Sequence, residues 1–442
     1  MQKIAILGAG RSAGYLIDHL ALVSKAKSWE LKVYDQDFEG YFSSFGENVN
    51  CIFEQSNLAD LKILESIVKY SDLVISVLPP SMHFGVARFC VLHGTHLVTA
   101  SYISPEMKAL HDVAVENNIV LLNELGLDPG IDHLSAAKAI FEIQEKGGEI
   151  FGFESYCGGL ITENDCIGNP WKYKFTWNPR NVVLAGQGGK SKWIANGELH
   201  QIAPFEVFKH VKRFDFPGLG EIEAYPNRDS LSYIDQYHLS VVKTMLRGTL
   251  RRVGYSQAWQ VLVDAGFTND EKGQDLVFEN RRFWFEFITK CKSVQDWLAK
   301  INVNDVDVVE KMIYLDLDNE NTLPLENLSH AAHLQNILQE KWKLHESDKD
   351  EVLMVHKIDY MVNNNHFKYA ATMRIIGEGG AHTAMAKTVG LPLALGAIAI
   401  LDGSIKERGC LMPFNVIWGK QILLKLEELG IQFTEMIQQI ND

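Results

Sequence analysis

The first residues in the chain that could do chemistry are small ones at a fixed spacing. Gly8, Gly10 and Ala13 follow the apolar run 3–7 in the pattern G-x-G-x-x-A. The first glycine permits a tight turn from strand to helix, the second lets the backbone approach a pyrophosphate, and the small third residue lets the helix pack closely. Asp35 ends the next apolar run, roughly 20 residues further on, where an acid that binds a ribose hydroxyl belongs. Together these features predict a dinucleotide-binding turn.

A glycine-rich turn can also occur in an α/β protein that binds nothing. The pattern that follows argues for binding, because it supplies the sheet that such a turn needs. Apolar runs at 72–78, 96–100 and 118–122 alternate with segments of helical periodicity, which predicts an open parallel sheet with right-handed crossovers. Ligands of such sheets bind beyond the carboxyl ends of the strands. The candidate binding loops are therefore 78–80, 101–103 and 124–130.

The third of these loops carries the most ionisable side chains. Asp128 lies just past a predicted strand end, close to where a nicotinamide and its substrate would meet in such a fold. We interpret Asp132 as the N-cap of the following helix. We interpret His133 as a packed or partnered histidine rather than a general base. Asp128 is therefore the candidate acid or base of this loop.

Length, charge and cysteine usage limit the class of protein. A chain of 442 residues is expected to form two or three domains, and its formal net charge of −14 argues against nucleic acid and membrane partners. We expect no apolar run that spans a bilayer, and the immediate start in a strand predicts no signal peptide. The 6 cysteines include no C-x-x-C pair. We therefore expect no metal site, no disulfide scaffold and a reducing, cytoplasmic location.

The middle of the chain shows a different pattern. Residues 149–157 alternate in polarity, which predicts a half-buried antiparallel strand. Asn196-Gly197 lies at the centre of the segment 192–199 and indicates a hairpin turn. The basic cluster 247–252 is either solvated surface or an anion site, since guanidinium groups suit carboxylates.

The last part of the chain is predicted to be helical first and extended afterwards. Residues 256–345 show amphipathic periodicity and are interpreted as an all-helical lobe. Residues 351–376 alternate about a polar turn and predict a second hairpin that rejoins the central sheet. A helix of small residues follows at 381–389, and we expect it to break at Gly390 and Pro392.

Several longer phrases are more specific than these patterns. The chain resembles the saccharopine reductase family, the L-glutamate-forming saccharopine dehydrogenases, over nearly its whole length. The phrases that carry the resemblance are NELGLDPGIDH at 123–133, SYCGGL at 155–160, YKF at 173–175, YPNRDS at 225–230, RGTLR at 247–251, AMAK at 384–387 and LDG at 401–403.

The resemblance implies an α/β fold, with a Rossmann-type parallel-sheet domain, a mixed α+β catalytic domain and a helical lobe. The implied boundaries are 1–133 for the dinucleotide-binding domain, rejoined by about 380–442, then 134–255 with 346–379 for the mixed-sheet domain, and 256–345 for the helical domain. It also implies a small amino-acid substrate and a homodimer.

The resemblance further implies a reaction and the residues that perform it. A hydride would pass between a nicotinamide and the carbon of a C–N bond, interconverting saccharopine with L-glutamate and 2-aminoadipate 6-semialdehyde in lysine metabolism. Asp128 and Tyr102 are candidates for moving the amine proton, while Cys157 is either catalytic or an inert buried thiol. The implied substrate contacts are Ser101, Tyr102, Asp128, Arg228, Thr249, Leu250 and Arg251. The implied cofactor contacts are Gly8, Ala9, Gly10, Arg11, Ser12, Ala13, Asp35, Gln36, Leu78, Pro79, Ser101 and Leu127.

The chain departs from the resemblance at one place. Fungal members that use NADP(H) carry an arginine after the second strand, whereas this chain has Asp35, Gln36 and Asp37, whose carboxylates would repel a 2′-phosphate. We therefore predict a preference for NAD(H), with NADP(H) left possible by the resemblance.

Two alternative functions remain. One is a carboxynorspermidine synthase-like reductive aminase, against which Arg228 and the cluster 247–252 argue; the other is a non-catalytic nucleotide-binding protein.

Overall fold

The computed structural model describes residues 1–38, 51–271, 277–324 and 326–440. Its strands are β1 (Lys3–Leu7), β2 (Glu30–Asp35), β3 (Ile52–Gln55), β4 (Leu73–Ser76), β5 (His96–Thr99), β6 (Val120–Leu122), β7 (Glu149–Ile161), β8 (Ser191–Ala195), β9 (Glu198–Ile202), β10 (Lys212–Phe216), β11 (Gly220–Pro226), β12 (Thr244–Arg252), β13 (Asp350–Val362), β14 (Asn365–Ile376), β15 (Gly409–Leu411) and β16 (Thr434–Ile440). Its α-helices are α1 (Gly14–Lys27), α2 (Leu61–Tyr70), α3 (Pro80–His93), α4 (Pro105–Lys108), α5 (His111–Glu116), α6 (Ile131–Glu145), α7 (Pro179–Val183), α8 (Tyr255–Ala265), α9 (Arg281–Thr289), α10 (Val294–Lys300), α11 (Val306–Tyr314), α12 (His330–Lys341), α13 (Ala384–Leu401) and α14 (Val416–Glu428).

These elements fall into two compact units. The first unit comprises Met1–Gly148 and Met373–Thr434, and the second comprises Glu149–Thr372 and Glu435–Asp442. The helical segment that the sequence assigns to a separate domain, 256–345, lies within the second unit. Each unit contains one of the two principal sheets.

The sheet of the first unit is parallel, in the order β15-β6-β5-β4-β1-β2-β3. Its central strands are nearly continuous apolar runs, and every residue of β4 is buried, as expected where helices cover a parallel sheet. The predicted open parallel sheet is thus confirmed. The strand order reverses beside β1, which lies between β2 and β4. In open α/β sheets this reversal marks the ligand-binding edge, beyond the carboxyl ends of the strands.

Helix α13 corrects two expectations. It runs without interruption past Pro392, so the predicted break at Gly390 and Pro392 is wrong. A Cβ atom on Gly390 would lie 2.8 Å from the backbone nitrogen of Leu16 in α1, so this glycine serves the close approach of two helices. By length and composition alone the 18-residue helix could span a membrane (mean hydropathy 1.8), contrary to the expectation of no such run. However, 72% of it is buried within the protein, as in an ordinary core helix.

The sheet of the second unit is mixed. Its main order is β10-β11-β12-β7-β13-β14-β16, and β8 joins β9 to β12. Strand β12 pairs antiparallel with β11 but parallel with β7. The strand predicted at 149–157 is found as β7. It is not the half-buried antiparallel strand expected, because it pairs antiparallel with β13 but parallel with β12 and most of its residues are buried. The hairpin around Asn196-Gly197 is found as β8 with β9. Both turn residues have positive φ angles (52° and 83°), as a two-residue hairpin turn of this type requires.

Helices α8 to α12 pack around a core of aromatic side chains. Trp259, Trp284 and Trp342 are all fully buried there. Four of these helices begin after a residue whose side chain accepts a backbone hydrogen bond from the first turn, namely Asn280, Ser293, Asp305 and Ser329. Such caps fix where each helix starts. The predicted helical character of this segment is therefore confirmed.

Candidate active site

The glycine turn of the first unit has the geometry of a phosphate site. Gly8 has a φ angle of +96°, which favours glycine, and its N–H donates to the carbonyl of Tyr34 at 2.8 Å. Gly10 is exposed, and a Cβ atom there would meet no atom within 4 Å. Ala13, the N-cap residue of α1, supplies no side-chain cap. No side chain at the N-cap position competes with an anion for the N-terminus of α1, and the turn fits the diphosphate of a dinucleotide.

Asp35 is tied to this turn. One of its carboxylate oxygens accepts the N–H of Ala9 at 2.5 Å, and the other accepts the N–H of Gln36 at 2.6 Å. Its position at the end of β2 agrees with the prediction. However, the bond to Ala9 gives this acid a structural role in holding the glycine turn, so its occurrence does not require a ribose partner.

Two further predicted cofactor contacts lie in the loop after β4, and one lies after β6. Pro79 is exposed at the N-cap position of α3, and Leu78 before it is half-buried. Leu127 is 5% exposed. Both segments follow strands whose carboxyl ends lie at the same edge as the glycine turn, because the sheet is parallel. The structure therefore brings the predicted cofactor residues of the first unit to one edge of one sheet.

Tyr102 and Asp128 form a direct pair at this edge. The Tyr102 hydroxyl donates to Oδ1 of Asp128 at 3.0 Å. Tyr102 is 42% exposed and Asp128 is half-buried, so both are reachable by a ligand. A carboxylate with a hydroxyl donor beside it can accept a proton from an amine and return it. The two residues suggested for proton movement are thus neighbours.

A buried cluster of ionisable groups holds the loops that carry this pair. Oε1 of Glu124 accepts the N–H of Ile103 at 2.9 Å, and its Oε2 lies 3.0 Å from Nε2 of His133. Nδ1 of His133 lies 3.5 Å from Oδ2 of Asp132. Glu124 has a φ angle of +57°, an uncommon conformation for a residue other than glycine. The cluster joins the loop of Tyr102 to the loop of Asp128.

Asp132 and His133 lie in the first turn of α6. The N-cap residue of α6 is Gly130, not Asp132. Asp132 is the second residue of the helix, and its carboxylate accepts the N–H of Gly130 at 2.6 Å. The N-cap prediction is therefore wrong. His133 is fully buried and partnered, as predicted. The sequence analysis did not single out Glu124, although its place in the longest matched phrase was a signal.

The second unit presents its predicted residues on strand β12. Side chains alternate along a strand, so Arg247, Thr249 and Arg251 share one face, while Leu250 and Arg252 share the other. Leu250 is fully buried in the apolar cluster of that other face. A side-chain contact of Leu250 with a ligand bound on the Thr249 face is therefore excluded, which corrects the prediction to its backbone atoms alone.

Arg251 is buried in an unusual environment. It is 3% exposed, and its guanidinium carbon lies 5.0, 5.7 and 5.1 Å from the ring centres of Tyr173, Tyr225 and Tyr255. Among the residues that the structure describes, no carboxylate forms a salt bridge with it, and its Nε has no hydrogen-bond partner. Burial acts to lower the pKa of Arg251, but the surrounding tyrosines raise it above its ordinary value, so the group remains a cation.

The other two arginines of β12 have partners within the protein. Arg252 forms a buried salt bridge with Glu351. Arg247 stacks on the ring of Tyr233, 4.5 Å from its centre. The cluster 247–252 is thus mostly buried rather than solvated, which removes one of the two interpretations left open by the sequence.

The remaining predicted residues of the second unit lie near β12 or on the surface. Cys157 is 6% exposed and lies opposite Thr249 in the parallel pairing of β7 with β12. Arg228 is exposed in the loop after β11, and its carbonyl accepts the N–H of Lys192 at 2.9 Å.

All 6 cysteines are free thiols. In the described residues no group of three or more His, Cys, Asp or Glu side chains could hold a metal ion.

Two family models match this chain. The model described as the saccharopine dehydrogenase C-terminal domain matches residues 126–431, and the one described as the saccharopine dehydrogenase NADP binding domain matches residues 4–122. The chain belongs to the saccharopine dehydrogenase family. The resemblance inferred from the sequence is therefore confirmed, and so is its α/β fold.

Individual relatives agree with this assignment. The chain is 35% identical to a saccharopine dehydrogenase [NADP(+), L-glutamate-forming] from Pyricularia oryzae, over 85% of this chain and 86% of that one. It is 31% identical to an alpha-aminoadipic semialdehyde synthase from Arabidopsis thaliana over 98% of its own length, but it spans only 44% of that relative. The solved structure of a saccharopine dehydrogenase (L-Glu forming) from Saccharomyces cerevisiae superimposes with a TM-score of 0.87 at 29% identity, covering 99% of this chain and 100% of the other.

These comparisons bear on the cofactor. The match at residues 4–122 identifies a nicotinamide-dinucleotide-binding domain of the saccharopine dehydrogenase family, in agreement with the geometry of the glycine turn. The family model is that of an NADP binding domain, and the name of the Pyricularia oryzae relative includes NADP(+). They do not support the preference for NAD(H) predicted from Asp35.

Proposed function

We propose that this protein is an L-glutamate-forming saccharopine dehydrogenase. In the oxidative direction saccharopine, oxidised nicotinamide cofactor and water yield L-glutamate, 2-aminoadipate 6-semialdehyde, reduced cofactor and one proton. The observation that carries the proposal is the similarity to the yeast enzyme, with a TM-score of 0.87 over 99% of this chain. A bound nicotinamide supplies or accepts the hydride, and the protein supplies binding, orientation and proton transfer.

Tyr102 and Asp128 handle the proton of the substrate amine. The Asp128 carboxylate accepts the proton from the secondary ammonium, which frees the nitrogen lone pair for formation of the C=N bond. The Tyr102 hydroxyl, 3.0 Å from Oδ1 of Asp128, holds that carboxylate in place and stabilises its charge. In the reductive direction Asp128 returns the proton to the newly formed amine.

Arg251 and Arg228 bind substrate carboxylates. Saccharopine carries three carboxylates, and the Arg251 guanidinium is a buried cation beside three tyrosine rings. It donates to the carbonyl of Leu250 and forms no salt bridge with a carboxylate of the described residues. A carboxylate is the natural complement of such a group, because charge-assisted bonds to arginine are strong where water is excluded. Arg228, which is exposed, supplies a second and more weakly held cation.

An assay with purified protein tests the function. Incubation with saccharopine and oxidised cofactor is expected to raise the absorbance of reduced nicotinamide and to release L-glutamate in equal amounts. Carboxynorspermidine in place of saccharopine is the matched test of the alternative reductive aminase. Turnover with carboxynorspermidine alone, or with neither compound, contradicts the proposal.

The finer proposal concerns the choice of cofactor. This chain has no Lys or Arg between Lys32 and Lys62, so that stretch offers no cation for a 2′-phosphate, and Asp35 and Asp37 would repel one. These features support NAD(H), whereas the names of the relatives point to NADP(+) for those proteins. Measuring kcat/KM with both cofactors decides the question, and a tenfold advantage for NADPH contradicts the preference for NAD(H).

The proposal also covers the location and the oligomeric state of the protein. The 6 free cysteines support a reducing, cytoplasmic environment, and imaging of a tagged chain in its host tests this. The resemblance to the family supports a homodimer. Light scattering coupled to size-exclusion chromatography measures the mass directly, and a monomer at micromolar concentration contradicts the dimer.

A further inference from the structure

His83 connects three polar side chains of the first unit, and none of the roles described above uses it. It is the fourth residue of α3, and its side chain is 4% exposed. Its Nδ1 lies 2.9 Å from Oγ of Ser76, the last residue of β4. Its Nε2 lies 2.8 Å from Oγ of Ser101 and 3.2 Å from Oγ1 of Thr99, the last residue of β5. The imidazole therefore spans the ends of two neighbouring strands at the ligand-binding edge.

The charge of His83 fits a role in hydrogen bonding rather than in proton transfer. Desolvation by burial lowers its pKa to about 4, so the ring is neutral near neutral pH. A neutral imidazole donates from one nitrogen and accepts at the other. Every partner of His83 is a hydroxyl group, which can take either role, and no carboxylate contacts the ring among the described residues.

Two side chains, His83 and Thr99, form hydrogen bonds with Ser101. Its backbone N–H lies 3.4 Å from Oγ1 of Thr99, and its hydroxyl is bonded to Nε2 of His83. A free serine hydroxyl rotates among staggered positions, so a fixed partner determines which direction it offers to a ligand. Ser101 precedes Tyr102 in the loop after β5 and is half-buried, whereas its partner His83 is buried.

We propose that His83 is a positioning residue that fixes the orientation of the Ser101 hydroxyl for contact with the nicotinamide cofactor or the amino-acid substrate. The inference rests on the proposed function, because that function makes Ser101 a ligand contact. Ser76 completes the arrangement by bonding the opposite ring nitrogen and so limiting rotation of the ring.

Two substitutions of His83 test the hydrogen bonds of its two ring nitrogens one at a time. The amide of asparagine lies near the position of Nδ1, so His83→Asn retains the bond to Ser76 and loses the bond to Ser101. The amide of glutamine reaches the position of Nε2, so His83→Gln retains the bond to Ser101. We expect His83→Asn to lower kcat/KM for saccharopine about tenfold, the usual effect of one lost hydrogen bond, and His83→Gln to stay within about twofold of the wild type.

A double-mutant cycle with Ser101→Ala provides the decisive measurement. If His83 acts through Ser101, the double variant His83→Asn/Ser101→Ala is no worse than Ser101→Ala alone. Losses that multiply would overturn the proposal, as would full activity of His83→Asn. Thr95→Ala is the structural control, because it also removes buried hydroxyl hydrogen bonds in the first unit, to the carbonyls of Val68 and Ser71. It is expected to lower stability without changing the kinetic constants.

Binding of the reduced dinucleotide, followed by its fluorescence, keeps this test separate from the test of the reaction. Absence of turnover in the wild type with saccharopine would contradict the proposed function alone. The same cycle, measured as dissociation constants for the dinucleotide, would then decide whether His83 acts through Ser101. Equal dissociation constants for the wild type, His83→Asn and Ser101→Ala in that case would overturn the positioning role.

Discussion

Two buried groups of ionisable side chains, one in each unit, have opposite surroundings. In the first unit, Glu124, Asp132 and His133 are at most 1% exposed, and each carboxylate has the imidazole and backbone N–H groups as partners. In the second unit, Arg251 is 3% exposed and is surrounded by tyrosine rings, with no acid in a salt bridge among the described residues. The first arrangement is complete within the protein, whereas the second lacks an anion.

This difference separates a structural role from a binding role. A buried ionisable group whose partners are all present contributes order, because losing any partner leaves the others unsatisfied. A buried cation among aromatic rings gains cation–π energy. Arg251 also donates to the carbonyl of Leu250 at 2.8 Å, but no carboxylate of the described residues neutralises it in a salt bridge. We infer that the Glu124 cluster holds the loops of Tyr102 and Asp128, and that Arg251 binds a carboxylate of the substrate.

The largest effect is expected from breaking the complete cluster. Glu124→Ala removes the acceptor of the Ile103 N–H and the carboxylate beside Nε2 of His133, and should lower the free energy of unfolding by about 3 kcal/mol. Urea denaturation measures this value. Glu124→Gln is the matched control: it can still accept from Ile103 and should lose about 1 kcal/mol. Equal stability of Glu124→Ala and the wild type would remove the structural role of the cluster.

The second-largest effect is expected from substitution of Arg251, the buried cation that has no salt bridge among the described residues. Arg251→Gln should lower kcat/KM for saccharopine about 100-fold, mainly through KM, because a buried charge-assisted bond to a carboxylate is lost. Arg252 offers a control on the same strand, since it is already paired with Glu351 on the other face. Arg252→Gln should reduce stability more than Arg251→Gln and affect KM less. The reverse pattern would mean that the two arginines have been assigned the wrong roles.

These two arginines also show where prediction from the sequence stops. Local spacing predicted the glycine turn, the parallel strands and the Asn196-Gly197 hairpin, because each depends on neighbouring residues. Arg251 and Arg252 are adjacent and chemically identical, so only the pairing of β12 with β11 and β7 decides which face each one occupies. The same register places Leu250 in the core. No pattern within the strand carries that information.

Other residues were missed for a related reason. His83 lies in a helical segment and looks like an ordinary core histidine until the ends of β4 and β5 meet around it. Gly390 and Pro392 look like a helix break, yet α13 continues through both, and the glycine admits the backbone of α1. In each case a contact between distant parts of the chain outweighs the local preference. The sequence therefore predicts which loops form the site, whereas the residues that support those loops become visible only in the structure.

A third effect concerns a buried group that is neutral. The pKa of His83 is about 4 in the folded protein and 6.5 when unperturbed, so between these values the unfolded chain binds more protons than the native one. Stability must therefore fall as pH drops from about 6.5 to about 4, with a limiting slope of about 1.4 kcal/mol per pH unit from this one residue. His83→Gln removes that contribution. Urea denaturation at several pH values should give a shallower acid dependence for the variant, and parallel curves would contradict the assignment of a neutral buried imidazole.

The smallest effect is expected at the exposed end of the loops that the Glu124 cluster holds. Tyr102→Phe removes the hydroxyl that donates to Asp128 at 3.0 Å and should lower kcat/KM about fivefold, because a single partly solvated hydrogen bond is lost. Tyr70→Phe is the matched control, since the Tyr70 hydroxyl donates to Glu30 at 3.0 Å in the same unit, away from the ligand-binding edge. Both variants should unfold at nearly the same urea concentration as the wild type, since both tyrosines are exposed. If only Tyr102→Phe changes the kinetics, the hydroxyl acts on the reaction; if both or neither do, the pair with Asp128 has no special role. That outcome would leave Glu124 supporting loops whose chemistry depends on Asp128 alone.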